Sequence, residues 1–245
     1  MKSQTAKVLA EIFSATNEFS RSDEDVIQSS PTYSDLEKFA RLLAKRPREE
    51  LLQKFVGQYP QLLMGLYGWG DNSILAFISK PEIGPRYRAD FALLQFGQGG
   101  SCIHLVELEP SSDQPFTRAG VRAKRHNGAI AQCRDWVAWI QANKSTYVRE
   151  VLERVRALPL YPKRTPNYSF RRRSFDKIEQ LWRAYGGFDD AFVTCTIVIG
   201  RWAQMTTDGR RALIAQNMHD SKLTRVVTYD QLARMSFERP CRIDE

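Results

Sequence analysis

Two neighbouring strand-forming runs that end in acids constrain this chain more than any other feature. Tyr87 to Phe96 and Cys102 to Leu108 are rich in aliphatic, aromatic and β-branched residues, and Gly97, Gly99 and Gly100 lie between them. Glycines so placed let the chain reverse, so the two runs are expected to pair as an antiparallel hairpin. Alternation along the second run puts Ile103, Leu105 and Glu107 on one face and Val106 and Leu108 on the other. Glu109 shares the face of Glu107, and Pro110 ends the strand. Asp90 falls inside the first run, where an aspartate is costly unless it is exposed at an edge, paired or bound to a metal. Three carboxylates on neighbouring strands can therefore converge. The plainer alternative is a surface hairpin whose glutamates face water.

Around this hairpin the hydrophobic periodicity alternates between helix and strand. Leu9, Ile12, Phe13, Thr16 and Phe19 fall near helical spacing, and the polar stretch Ser20 to Pro31 reads as a linker. Residues 1–33 are thus expected to form a polar N-terminal arm with a short helix, and residues 34–245 one main domain. Ser34 is a fair N-cap with Glu37 in the capping-box position, for a helix that reaches about Lys45 before Pro47. Arg48 to Val56 makes a second helix that stops at Tyr59 and Pro60, and Ile74 to Ser79 is another strand. Residues 117–141 are expected to be one long helix burying Ile130, Cys133, Val137 and Ile140, followed by a helix from Thr146 to Leu158. Beyond it come a helix near Phe175 to Tyr185, a buried strand Ala191 to Gly200 and a helix near Asp208 to Asn217. A strand Arg225 to Thr228 and a helix from Asp230, read as an N-cap, to Met235 complete the chain. The sum is an α/β fold, a central mixed sheet flanked by helices.

Acids converging at a strand end suit phosphodiester hydrolysis, in which carboxylates hold Mg²⁺ or a similar hard cation on the phosphate while a bound water loses its proton. A formal charge of +8 and a pI near 9.4 favour an anionic partner. Arg118, Arg122, Lys124 and Arg125 follow the acidic strand and can grip phosphates, or can equally be a solvated face. Arg171, Arg172 and Arg173, near Lys163, Arg164, Tyr161, Tyr168 and Phe170, form a basic and aromatic loop suited to nucleic-acid backbone contact or base stacking. The four cysteines show no paired spacing and read as small buried hydrophobes rather than a disulfide framework or zinc site. Ala191 to Ile199 is the longest apolar stretch, too short to cross a bilayer, and the start lacks the layout of a signal peptide. No membrane partner is expected, and a cytoplasmic location follows by default.

Several ordered segments carry a resemblance to a known family. Glu50, Leu51, Leu52, Gln53, Lys54 and Phe55, with Pro60, Leu62 and Leu63 after them, look like its opening helix and turn. Arg88, Ala89, Asp90, Phe91 look like its Arg-Pro-Asp-Phe element, and Val106, Glu107, Leu108, Glu109 like its Val-Glu-Leu-Lys element. Gln132 with Asp135 and Trp136, then Val198 to Arg201, and finally Thr228, Tyr229, Asp230, Gln231 and Leu232 match further elements in order. From Glu50 to Met235 the chain resembles the Shedu immune nucleases, whose core is of the PD-(D/E)xK restriction-endonuclease type.

The resemblance implies a restriction-endonuclease-like core and a Mg²⁺-dependent (or Mn²⁺-dependent) DNA endonuclease of prokaryotic anti-phage defence. Asp90 and Glu107 would be metal ligands, and a homo-oligomer would be expected because oligomers are common in the family. Glu109 departs from the family, which often has lysine there. A glutamate cannot copy the charge of a lysine, but it can add a metal ligand or act as base on metal-bound water. The same exchange leaves open a nucleic-acid-binding or sensing module that keeps the fold without catalysis. Lys124 and His126 are the nearest replacements for the lysine in sequence. Glu50 is read as a further acid from the first core helix, against the bland reading of a solvated carboxylate. Gln132 is read as a hydrogen-bond partner of phosphate or metal-bound water, against a plain helix-to-sheet contact.

Overall fold

Alternation of apolar residues commits both faces of one sheet to burial, and helices cover both. The computed structural model describes residues 2–13, 32–67, 74–97, 100–158, 168–169, 191–220 and 224–238. Helices α1 (Lys2–Phe13), α2 (Tyr33–Ala44), α3 (Glu49–Gln58) and the short α4 (Gln61–Met64) precede the sheet. Strand β1 (Ile74–Ser79) leads through the small hairpin β2 (Glu82–Ile83) and β3 (Tyr87–Arg88) into β4 (Phe91–Gly97) and β5 (Gly100–Leu108). Helices α5 (Lys124–Ala142) and α6 (Lys144–Ala157), strand β6 (Tyr168–Ser169) and strand β7 (Phe192–Val198) follow. Helix α7 (Thr207–Asp220), strand β8 (Thr224–Val227) and helix α8 (Tyr229–Glu238) come last.

The six-stranded sheet has the order β6-β1-β4-β5-β7-β8. β4 pairs antiparallel with β5, from Phe91 opposite Val106 to Gly97 opposite Gly100, as the glycines between the runs predict. β5 pairs with β7, and β7 with β8, in parallel, so the chain crosses over through α5, α6 and α7. Ala92, Leu94, Ile103, Leu105, Cys195 and Ile197 pack in one core with Ile130, Cys133, Trp136 and Ile140 of α5, Tyr147 and Val151 of α6 and Leu213 of α7. Phe91, Leu93, Val106, Leu108 and Val198 pack in the other with Leu36, Phe39, Leu52, Val56, Leu62, Tyr229 and Leu232. Val8 and Ile12 of α1 belong to that second core. The α/β expectation of a mixed sheet flanked by helices therefore holds.

Several boundaries move, each for a local reason. The cap of α2 is Thr32 rather than Ser34, because Thr32 and Asp35 exchange the two hydrogen bonds of a capping box. Asp230 is not the cap of α8 either. Thr228 and Gln231 exchange those bonds, and Asp230 pairs instead with Arg201 at 2.7 Å. The run from Tyr87 to Phe96 is broken at Ala89 and Asp90: the Ala89 amide donates to the Pro81 carbonyl of the small hairpin, whereas the Asp90 amide donates to Val106 of β5. Helix α5 begins at Lys124 rather than near residue 117, because Thr117 to Gly120 forms a turn in which Gly120 adopts φ +74°. The helix expected near Phe175 to Tyr185 and the linker from Ser20 to Pro31 lie outside the described residues.

Candidate acidic site at the end of strand β5

Asp90 occupies the break that lets the chain leave β3 and join β4, which brings its carboxylate to the carboxyl end of β5. There Oδ2 accepts the Leu108 amide at 2.7 Å, while Oδ1 accepts Gln53 Nε2 at 2.6 Å and Lys80 Nζ at 2.5 Å. The same Gln53 nitrogen donates to Glu49 Oε1 at 2.8 Å, so one amide on α3 bridges two acids. Helix rotation decides which acid of α3 takes part. Glu49 feels the charges of Asp90 and Glu109, whereas Glu50, the expected participant, is exposed. Glu49 replaces it at the site.

Glu107, near the end of β5, and Glu109, just past it, feel the charges of these groups. Glu107 is pushed up to about 9 by burial first, then by the charges of Asp90, Glu109 and Glu49, with Lys80 opposing. Burial also raises Glu109, while Arg125 pulls it down. Arg125 Nη1 donates to Glu109 Oε2 at 3.0 Å and its Nε contacts Asp113 Oδ2 at 2.7 Å. The backbone of Glu109 is held as well: its amide donates to Val198 at 2.8 Å and its carbonyl accepts the buried Tyr229 hydroxyl at 2.7 Å. Burial likewise raises Glu49.

Asp90, Glu107 and Glu109 feel one another's charge at the end of β5, and the structure adds Glu49, Gln53 and Lys80 and turns Arg125 onto Glu109. The added residues gave no local signal, because each reaches the site only through the packing of α3 on β5 and of the end of β1 beside Asp90 at the start of β4. Gln132 is half-buried on α5, and among the described residues no hydrogen bond links it to the acids. Lys124 is exposed at the start of α5 and does not approach Asp90 as Lys80 does. His126 is fully buried, with Nδ1 2.8 Å from the Pro115 carbonyl, so it pins a loop to the helix and cannot replace a lysine at the acids. Arg118 and Arg122 lie in the loop before α5 rather than on the helix; Arg118 is exposed and Arg122 donates to Gln216 at 3.0 Å. Arg171, Arg172 and Arg173 lie outside the described residues.

The donors fit a hard divalent cation in kind, since they are carboxylate oxygens whose mutual repulsion calls for positive charge. Their present arrangement is not yet a cage. Among the described residues no three His, Cys, Asp or Glu side chains are grouped closely enough to hold a metal ion. Asp90 is turned to Lys80, Gln53 and Leu108, and Glu109 to Arg125.

The family model for the Shedu protein SduA C-terminal region matches residues 47–233. The chain belongs to the Shedu family. The matched span begins just before α3 and ends within α8, so it takes in the whole acidic site of this Shedu chain. Among curated proteins none matches it. No helix among the described residues is long and apolar enough to cross a membrane.

Proposed function

We propose that this Shedu protein is a metal-dependent DNA endonuclease of prokaryotic anti-phage defence, with Asp90, Glu107 and Glu109 as the residues that take Mg²⁺ or Mn²⁺. The observation that carries the reading is the end of β5, where Asp90 accepts the Leu108 amide, Gln53 bridges Asp90 to Glu49, and burial first, then the charges of Asp90, Glu109 and Glu49, push Glu107 up to about 9. Acids that raise one another through their charges are stabilised by a cation, and oxygen donors select a hard one. A bound divalent cation would supply Lewis acidity toward a phosphate oxygen and acidify a water. The chain's own residues do the rest. Gln53 and the Leu108 amide orient Asp90, Arg125 and the backbone bonds to Val198 and Tyr229 fix Glu109, and Glu49 extends the acidic face. On this reading Arg118 and Lys124, exposed and next in the chain, would meet DNA phosphates.

A second reading is favoured by the ion pairs themselves. Lys80 on Asp90 and Arg125 on Glu109 neutralise two acids without a metal, as a nucleic-acid-binding or sensing module that has lost catalysis would require. Incubating the protein with supercoiled plasmid and Mg²⁺ or Mn²⁺ separates the two. On the first reading wild type nicks the plasmid, and Asp90→Ala and Glu107→Ala each lose roughly 100-fold or more, the scale of removing one group that stabilises transition-state charge. Equal nicking by wild type and both variants rejects it. Salt-dependent DNA binding without metal-stimulated cleavage selects the second.

A further inference from the structure

Asp90 already has a cation beside it, supplied by the chain. Lys80 follows β1 directly, and its ammonium reaches Asp90 Oδ1 at 2.5 Å. Its backbone adopts φ +51°, in the left-handed region that residues carrying a Cβ rarely visit. Two observations show what holds it there: the Lys80 amide donates to the Asp90 carbonyl at 2.8 Å, and Pro81 accepts the Ala89 amide at 3.1 Å. The β2–β3 hairpin thus closes on itself, with Lys80 at one end and Asp90 at the other. Strain of this kind persists where the surroundings over-determine it, and here it aims an ammonium at an acid.

The pair is lopsided in exposure. The Lys80 side chain is 43 % exposed and that of Asp90 6 %. Lys80 can therefore swing away into solvent without being left buried and unpaired, whereas Asp90 cannot leave the site. With Lys80 and Gln53 on one oxygen and Leu108 on the other, Asp90 is withheld from any cage the other acids could build. Position 109 is itself an acid, and the cations that the structure brings to these acids are Lys80 on Asp90 and Arg125 on Glu109.

Resting on the metal-dependent reading above, we infer that Lys80 is a resident counter-ion of Asp90 that yields its place to the divalent cation and, once released, is the positive charge that faces the DNA phosphate. Lys80 and the divalent cation are alternative partners of one carboxylate, so they compete.

Three measurements on the full chain test this. In calorimetric titration with Mn²⁺, Lys80→Met binds roughly two- to fivefold more tightly than wild type, the size expected for losing one half-exposed competing ion pair. In plasmid cleavage the same variant is slower by about 10- to 100-fold, because the charge that meets the phosphate is gone. Tighter metal binding together with slower cleavage is a split that a merely structural lysine does not produce. Since the substitution also alters the local field, wild type is reductively methylated with and without saturating Mg²⁺ and read by peptide mass spectrometry. The rate of Lys80 modification rises when Mg²⁺ is present. Unchanged Mn²⁺ affinity in Lys80→Met, or a Lys80 modification rate that Mg²⁺ does not alter, overturns the inference while leaving a cleaving wild type as support for the nuclease reading. A wild type that neither binds Mn²⁺ nor cleaves overturns both.

Discussion

A carboxyl that keeps its proton to about pH 9 in the fold but ionises near 4.3 in an unfolded chain makes folding dependent on pH. For Glu107 the folded value is the higher one, so the native state binds the extra proton between those two values and stability falls as pH rises through that window. Below about 4.3 both states are protonated and nothing is lost. Glu107→Gln, which cannot ionise, should therefore melt with wild type at pH 4 and gain progressively toward pH 9, on the order of 5 °C at pH 8. Thermal melts across that range check it, and a gain independent of pH would assign the effect to packing. The three acids Asp90, Glu107 and Glu109 were legible in the sequence because strand alternation and the cost of an aspartate in a strand are local signals. Glu49 was not, since adjacent acids on a helix differ only in the direction they face, and the packing of α3 chooses between them.

At the scale of elements, the site depends on a loop seated against the end of β7. Gly200 adopts φ +66°, and a Cβ there would lie 2.5 Å from the Asp113 carbonyl oxygen and 3.1 Å from Pro115 Cδ. The loop that carries Asp113, the second partner of Arg125, is thus packed on bare glycine backbone. Gly200→Ala combines backbone strain with overlap and should cost about 2–4 kcal/mol. It should also displace Asp113 and loosen Arg125 from Glu109. A chemical-denaturation midpoint equal to wild type would contradict that packing. Strands β1, β4, β5, β7 and β8 and helices α3 and α6 were readable from periodicity to within a residue or two at most ends, because both sheet faces are apolar. The start of α5 was not, because the turn at Gly120 interrupts a sequence that is otherwise helical in character. The gap between β3 and β4 was hidden for a related reason: the residues on either side are equally strand-forming, and only the partner strand tells them apart.

On the scale of the whole molecule, α1 is bound into the same core as the site's first helix. Val8 and Ile12 are buried, and Glu11 reaches Arg201 at 3.1 Å, an arginine that Asp230 also holds at 2.7 Å. Burying two such side chains is worth about 1.5–3 kcal/mol each, a large part of the roughly 5–15 kcal/mol by which a domain is stable. Deleting residues 1–13 should therefore lower the melting temperature by roughly 10 °C or more. A truncated chain that melts with the full one would show that α1 contributes nothing to this core. By itself the sequence determined the α/β architecture, the β4–β5 hairpin and the position of Asp90, Glu107 and Glu109 at neighbouring strand ends, since these follow from alternation, turn residues and the cost of burying charge along a short stretch of chain. Tertiary structure alone decided that Glu49 faces those acids, that Gln53 bridges two of them, that Arg125 turns onto Glu109 and that Lys80 supplies a cation beside Asp90. Those contacts depend on how helices rotate and where distant strand ends meet, and no local pattern encodes either.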